Sequence, residues 1–265
     1  MGSSALILAA HGSRHGPVAN AEVRDHADTI ARTDLFDEVA VAFHQGSPTF
    51  ANVLDTIAAD AVTVVPVMTS DGYYARTDLP RALAFHPRFS RFRVSIGAAV
   101  GSHPRCAVLV RERAIELATM YGLSPDETTV IVIGHGTARH SRSRASTLNV
   151  AAVLRQASLF ADVRAAFLDD TPAIESVCAA TRQRNLIVVP FLIGSGHHAT
   201  CDVPRRLGFD SSNGASLPLF GRVADRLVVC DAAIGTRPEM SGIILECARE
   251  AAVVRYESGH LVTVR

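Results

Sequence analysis

The chain has 265 residues, 48% of them hydrophobic, with 26 basic side chains against 26 acidic ones. That is enough for one large core or two ordinary ones, and zero net charge with no block of like charge gives neither a nucleic-acid footprint nor a membrane-surface patch. No apolar stretch approaches the ~18 residues of a membrane span, and five scattered cysteines without a Cys-x-x-Cys pair point to reduced thiols in a cytoplasmic protein.

Ala5–Ala10 is an apolar run ended by His-Gly-Ser, the pattern of a fully buried parallel strand. It lacks a basic leader, so it reads as a strand and not as a signal peptide. Pro17–Arg32 reads as a helix and Glu38–Phe43 as a second strand. Ser47-Pro48 supplies an N-cap and a first-turn proline for a helix over Thr49–Ala59. Val62–Met68 is a third strand, and Asp78-Leu79-Pro80 starts another helix after the loop Thr69–Thr77. Phe92–Val100 is a fourth strand and Pro104–Tyr121 a helix. Strands alternating with helices imply parallel pairing through right-handed crossovers.

The pattern then repeats. With 124 added, His11-Gly12-Ser13 becomes His135-Gly136-Thr137, Pro48 becomes Pro172, Val64-Val65-Pro66 becomes Val188-Val189-Pro190, and Asp78-Leu79-Pro80-Arg81 becomes Asp202-Val203-Pro204-Arg205. No gap is needed from Ala5 to Leu83. Further on the offset is 134, where Ala98-Ala99-Val100-Gly101 matches Ala232-Ala233-Ile234-Gly235, the extra residues lying around Asp210–Leu219. The fold class is therefore α/β, two tandem-duplicated lobes that each consist of a parallel sheet flanked by helices. The expected domains are residues 1–123 and 124–265.

Ligands of such sheets sit at the carboxyl ends of the strands. After the first strand both repeats keep His-Gly-Ser/Thr. After the second, Phe43-His44-Gln45-Gly46 stands against Phe167-Leu168-Asp169-Asp170, and after the third Ser70-Asp71-Gly72-Tyr73-Tyr74 stands against Gly194-Ser195-Gly196-His197-His198. The second repeat thus gathers His135, Asp169 and His197 on one rim, where the first has His11 with Gln45 and Tyr73. Two imidazoles and a carboxylate suit a borderline divalent ion such as Fe²⁺, Co²⁺, Ni²⁺ or Zn²⁺, or general acid–base work. Glycines 134, 136, 194 and 196 suggest a roomy rim for a bulky planar ligand. Arg139, Arg142 and Arg144 beside His135, with Arg205 and Arg206 across the rim, can pair with carboxylates or phosphates.

Each of these residues also has a structural reading. A strand-end histidine can be a hydrogen-bonded packing residue, and duplication copies such residues too. Asp169 can cap the Thr171-Pro172 helix start, Asp78 and Asp202 read as helix caps, and the arginines can form a solvated face. Cys201 reads as an apolar filler, and His44, His86 and His103 as surface or loop residues. Arg14-His15-Gly16 resembles the start of a histidine-phosphatase signature, but it stands a turn past the strand end and its duplicate is Arg139-His140-Ser141. No Gly-x-Ser-x-Gly elbow, Walker loop or dinucleotide fingerprint is present.

The segments His-Gly-Ser/Thr, Phe-Leu-Asp-Asp-x-Pro and Val-Pro-Phe-Leu-x-x-Gly-x-Gly-His-His-x-x-x-Asp-Val-Pro together resemble the sirohydrochlorin chelatases of class II, the ATP-independent enzymes, in their long, internally duplicated form. The resemblance spans nearly the whole chain. It implies a chelatase-like fold with a cleft between the lobes, and insertion of Co²⁺ or Fe²⁺ into sirohydrochlorin for cobalamin or sirohaem synthesis. By the same resemblance His135, His197 and Asp169 are the catalytic residues, with His135, His197 and second-rank His11 as metal ligands. Arg139, Arg142, Arg144, Gly194, Ser195, Gly196, His198 and Arg205 would meet a tetrapyrrole bearing eight peripheral carboxylates. Tyr73 departs from relatives whose histidine pair lies in the first repeat, which moves the expected site to the second. The divalent ion is substrate, with no prosthetic group, and the expected partner is the tetrapyrrole alone, with the chain a monomer or small homo-oligomer. A non-catalytic tetrapyrrole or metal-ion carrier, and a ferrochelatase for another porphyrin, remain as alternatives.

Overall fold

The computed structural model describes residues 2–13, 20–137, 142–210, 216–257 and 260–263. In chain order the first repeat gives β1 (Ser4–Gly12), α1 (Ala21–Ala31), β2 (Glu38–Gln45), β3 (Ala61–Pro66), α2 (Leu79–Ala84), β4 (Arg93–Ile96) and α3 (Arg105–Met120). The second gives β5 (Thr128–Gly134), α4 (Arg142–Gln156), β6 (Asp162–Phe167), α5 (Ile174–Ala180), β7 (Asn185–Pro190) and α6 (Val203–Leu207). It continues with β8 (Leu219–Val223), β9 (Arg226–Cys230), α7 (Met240–Arg249), β10 (Ala252–Glu257) and β11 (His260–Thr263).

One sheet has the strand order β11-β10-β4-β3-β1-β2 and the other β6-β5-β7-β9-β8. The four strands β1 to β4 pair in parallel, as do β5, β6, β7 and β9, which is the architecture read from the alternating pattern. Strands β5 and β7 are buried along their whole length, so their unbroken apolar runs need no polar face. The antiparallel additions, β8 on β9 and the hairpin β10–β11 on β4, lie outside the repeat read from the sequence. Within each sheet the chain leaves the first strand to one side and returns on the other. This switch point sets the carboxyl ends of three strands next to one another.

The expected helix over Thr49–Ala59 is reduced to a single 3₁₀ turn, Val53–Thr56. Its start signal is used otherwise. The Phe43 N–H donates to the Pro48 carbonyl (2.9 Å) and the Phe50 N–H to the Phe43 carbonyl (3.2 Å), so the segment after Ser47 runs beside the strand end. The duplicate bond, Phe167 N–H to Pro172 carbonyl, is 3.0 Å, and there a true helix, α5, follows.

Grouped by contact, the chain forms two compact units that cut across the sequence halves, Met1–His103 with Pro238–Arg265 (unit 1) and Pro104–Arg237 (unit 2). The repeats exchange their last helices. α3 packs on α4 and β7 in unit 2, while α7 packs on α1 and β3 in unit 1 and leads into β10. The contacts under the two helices explain why each stays where it is. Arg113 of α3 is buried and gives two parallel hydrogen bonds, 2.8 and 2.7 Å, to Asp231 at the end of β9. The residue corresponding to Asp231 is Gly97, where an added Cβ would stand 2.8 Å from the Cys247 carbonyl oxygen of α7. One helix is held by a buried ion pair, the other by close backbone approach and a buried hydrogen bond between His26 and Ser241 (2.9 Å).

All five cysteines are free thiols. Burial pushes the Cys247 thiol up to about 12 and raises that of Cys230 also, which keeps both in the unreactive protonated form. No helix among the described residues is long and apolar enough to cross a membrane.

Candidate functional site

The parallel register carries past the end of β5. After the Gly134–Phe167 pair, the Leu168 N–H donates to the Gly134 carbonyl (3.1 Å) and the Asp169 N–H to the His135 carbonyl (2.9 Å). This brings the Asp169 carboxylate to 3.5 Å from His135 Nδ1. The same Nδ1 lies 2.9 Å from the Gly136 carbonyl oxygen. A carbonyl can only accept, so Nδ1 carries the proton in the neutral ring and Nε2 presents its lone pair.

Gly136 makes this turn at φ +70°, and a Cβ there would sit 2.6 Å from the Asp170 Cβ. Gly136→Ala is therefore expected to lower stability by about 2–3 kcal/mol, from left-handed backbone strain plus displaced packing, measurable as a shifted denaturation midpoint. Gly134 is equally tight, because a Cβ there would run into Thr147. These two glycines allow close packing, a correction to the roomy rim expected of them. Gly196 does stand open.

Opposite, a single wide π-helical turn, His198–Asp202, precedes α6, with the Val203 N–H bonded to the His198 carbonyl. It stacks His198 over Asp202, and the Nδ1–H donates to Oδ2 at 2.7 Å. Asp202 Oδ1 accepts from Arg205 (2.8 Å) and lies 3.6 Å from His197 Nε2. Asp202 is thus no helix cap, since its side chain makes no capping bond to α6. Its carboxylate is spent on histidine and arginine.

The ring that meets His135 is that of His198, with centroids 4.9 Å apart and planes perpendicular. His197 is 73% exposed and leans on Asp202 instead. The structure therefore brings together His135, Asp169 and His198, with His197 set beside Asp202. Nothing in a His-His dipeptide told the two apart. The useful signal was the spacing of four from His198 to Asp202, which puts both on one helical face.

The arginines divide. The Arg144 guanidinium lies over the Phe167 ring (5.2 Å) and 3.7 Å from Asp170, so it braces the strand end. Arg205 is tied to Asp202, and Arg206 bonds Glu175 twice and the Leu168 carbonyl once. The hydrogen bonds from Arg206 hold the Glu175 carboxyl below its ordinary range. Arg142 is exposed at the start of α4. Arg139 and His140 lie outside the described residues, as do Arg14, His15 and Gly16. Leu168, Asp169, His198, Asp202, Arg205 and Arg206 line a pocket of about 220 Å³. That is smaller than the ~300–1,000 Å³ of pockets that enclose drug-sized ligands. It suits an ion, a carboxylate or one edge of a larger molecule.

Unit 1 is less empty than the sequence suggested. Gly12 pairs with Gln45, which sets His44 beside His11, their ring centroids 5.3 Å apart. His44 Nδ1 lies 2.8 Å from Asp78 Oδ2, so Asp78, like Asp202, holds a histidine and caps nothing. His86 is buried and His103 half-buried, each near a carboxylate of unit 1. His86 and His103 do lie in loops, as expected, whereas His44 belongs to β2. Among the described residues no three His, Cys, Asp or Glu side chains converge as a closed metal site requires. A cation at either histidine pair would complete its shell from solvent or substrate.

The CbiX family model matches residues 5–117 and again 129–251. The chain belongs to the CbiX family. The two matches coincide with the two sequence repeats, so the duplication is that of a whole CbiX unit. This CbiX chain is 30% identical over 267 residues to a "Probable sirohydrochlorin cobaltochelatase" of Halobacterium salinarum, covering 93% of the chain and 91% of that protein. The sirohydrochlorin chelatase SirB from Bacillus subtilis subspecies spizizenii, solved in complex with cobalt, superimposes with a TM-score of 0.69 at 18% identity, over 94% of each chain. A multi-domain protein from Deinococcus radiodurans with structural similarity to chelatases gives 0.76 at 23% identity. It covers all of this chain, which spans 58% of its length. The chelatase-like α/β fold expected from the sequence is the fold that the CbiX chain adopts.

Proposed function

We propose that unit 2 inserts a divalent metal ion, Co²⁺ or Fe²⁺, into sirohydrochlorin. One observation carries the reading: two imidazoles stand side by side, each with a carboxylate behind it, Asp169 3.5 Å from His135 Nδ1 and Asp202 2.7 Å from His198 Nδ1. Family membership and the cobaltochelatase relative support the substrate.

The chemistry follows from proton and charge balance. A divalent ion enters the ring as two pyrrole N–H protons leave, so two bases are needed for each ion transferred. His135 Nε2 and His198 Nε2 hold the ion first. As it passes to the ring, each freed Nε2 takes up one proton, and the carboxylate on its far side stabilises the imidazolium formed. Two protein ligands, not four, suit an ion that must leave. The macrocycle is too large for the pocket at Asp169 and Arg205, so it lies over the rim, its peripheral carboxylates within reach of Arg142 and Arg205. His197, nearly free in solvent, serves as an outer ligand that delivers the ion to His198.

The test is an absorbance assay with apo-sirohydrochlorin, metal and catalytic amounts of protein, run with Co²⁺, Fe²⁺ and Ni²⁺. Many turnovers per chain are expected with at least one of these ions. Spectral change that stops at one equivalent would instead make the protein a carrier.

A further inference from the structure

We infer that Arg206 is the positioning residue that fixes the two imidazole–carboxylate pairs of unit 2 at their working separation, and that Glu175 aims it. This role rests on the reading of unit 2 as a metal-inserting site. The two pairs hang from different parts of the chain. His135 and Asp169 stand at the carboxyl ends of β5 and β6 and are tied through the backbone, the Asp169 N–H to the His135 carbonyl. His198 and Asp202 belong to the π-helical turn before α6 and are tied side chain to side chain. Neither tie runs from one pair to the other. Where the pairs meet, the rings touch edge to face at 4.9 Å, a weak contact that cannot by itself hold a gap to the ~0.5 Å that a preorganised site needs.

Arg206 does reach across. It follows Asp202 by four residues, one turn on along α6. Its Nη1 donates to the Leu168 carbonyl at 2.7 Å, on the residue immediately before Asp169. Its Nε and Nη2 donate to the two carboxylate oxygens of Glu175, at 2.7 and 2.8 Å, in the first turn of α5. The backbone that carries Asp169 is therefore gripped on both sides. A guanidinium is rigid and planar, so three bonds in its plane fix α6 against the end of β6 in distance and in angle. The bonds to Glu175, and then the charges of Asp169 and Asp202, keep Arg206 more firmly protonated than usual against the opposing effect of burial. The bond to Leu168 is what separates this from a surface ion pair between α5 and α6, since it lands on the strand end that bears the site. Arg205, by contrast, gives one bond to Asp202 and stays exposed to meet a substrate.

The other repeat offers a comparison. With 124 subtracted, Arg206 becomes Ala82 and Glu175 becomes Ala51, although Asp202 and Arg205 keep their counterparts in Asp78 and Arg81. Both ends of the brace are missing together, and α5 is replaced by the 3₁₀ turn Val53–Thr56. Unit 1 also has Gln45 in the place of Asp169. The brace thus accompanies the carboxylate that it flanks. The repeat with two imidazole–carboxylate pairs has it, and the repeat with one does without.

The experiment measures sirohydrochlorin metallation by the full chain carrying Arg206→Ala, Glu175→Ala or both, with histidine ring proton NMR on the same proteins. In Arg206→Ala the kcat is expected to fall about 10–100-fold, the scale of a misplacement of about 1 Å, with KM for sirohydrochlorin nearly unchanged. Glu175→Ala should lose part of the same factor, and the double variant no more than Arg206→Ala, because Glu175 acts through Arg206. Arg206→Lys should recover little, for it keeps the charge without the fork. The mutual ring-current shifts of His135 and His198 should shrink in Arg206→Ala. A raised KM at unchanged kcat would make Arg206 a substrate contact, and a lowered Tm with kcat and ring shifts unchanged would make it a structural clamp. Full activity of Arg206→Lys would place the effect in its charge. Any of the three overturns the proposal. If the wild type does not turn over, the chelatase reading falls by itself, and the ring shifts alone decide whether Arg206 sets the pair. Should Arg206→Ala fail to fold, Glu175→Gln, which keeps the shape and removes the charge, is read by the same outcomes.

Discussion

Replacing His198 with alanine is expected to slow metal insertion into sirohydrochlorin by about 10²–10⁴-fold, the range for loss of a positioned acid–base group. His135→Ala should cost as much, and the two together little more, because the pair hands over one ion as a unit. His197→Ala should cost far less, since that ring is exposed and leans on Asp202, 3.6 Å away. The contrast separates two neighbours that sequence motifs treat as one. Asp202→Asn adds a second readout. It keeps an acceptor for His198 Nδ1–H but removes the charge behind it, so the bound ion is retained while turnover slows, as the imidazolium formed at handover loses its stabilising partner. An enzyme indifferent to His198→Ala but disabled by His197→Ala would return the second ligand to His197.

The fold was legible because its signals are local and duplicated. Apolar runs closed by His-Gly, in one register twice over, fix both the strands and the neighbour relations of their ends. His135 and Asp169 follow from this, since parallel pairing carries on past Gly134 and leaves the two side by side. The same pairing sets His44 beside His11, and that inference could have been drawn from the register alone. The choice between His197 and His198 could not. It depends on a π-helical turn, one residue wider than an α-turn, whose phase decides which side chain faces inward. The roles of Asp78 and Asp202 were hidden for a related reason. An aspartate two residues before a proline has the local pattern of a cap, and only the histidine packed against it shows otherwise. The exchange of α3 and α7 was invisible to repeat matching, because each helix keeps its place in the sequence whichever sheet it covers.

Asp231→Ala is expected to be the most destabilising single substitution, at about 3–5 kcal/mol, because it leaves the Arg113 guanidinium buried without its counter-charge. Asp231 is nearly inaccessible, and its two bonds to Arg113 hold that guanidinium more firmly protonated than usual. Glu116, 3.0 Å from Arg113, is half-exposed and cannot replace it. For a chain of this size the loss corresponds to a fall in Tm on the order of 10 °C. Arg113→Leu with Asp231→Leu should recover most of it, since the pair's Coulomb energy largely offsets its own desolvation. A hint lay in the sequence, because Arg113 interrupts the buried stripe Cys106, Val110, Ala114, Leu117 of α3. The decisive measurement is hydrogen exchange in the single variant. With the pair gone, amides of α3 should exchange faster while those of α7, seated over Gly97 in the other unit, keep their protection. Faster exchange in α7 alone would mean that the helices had not changed places, and that Arg113 anchors nothing.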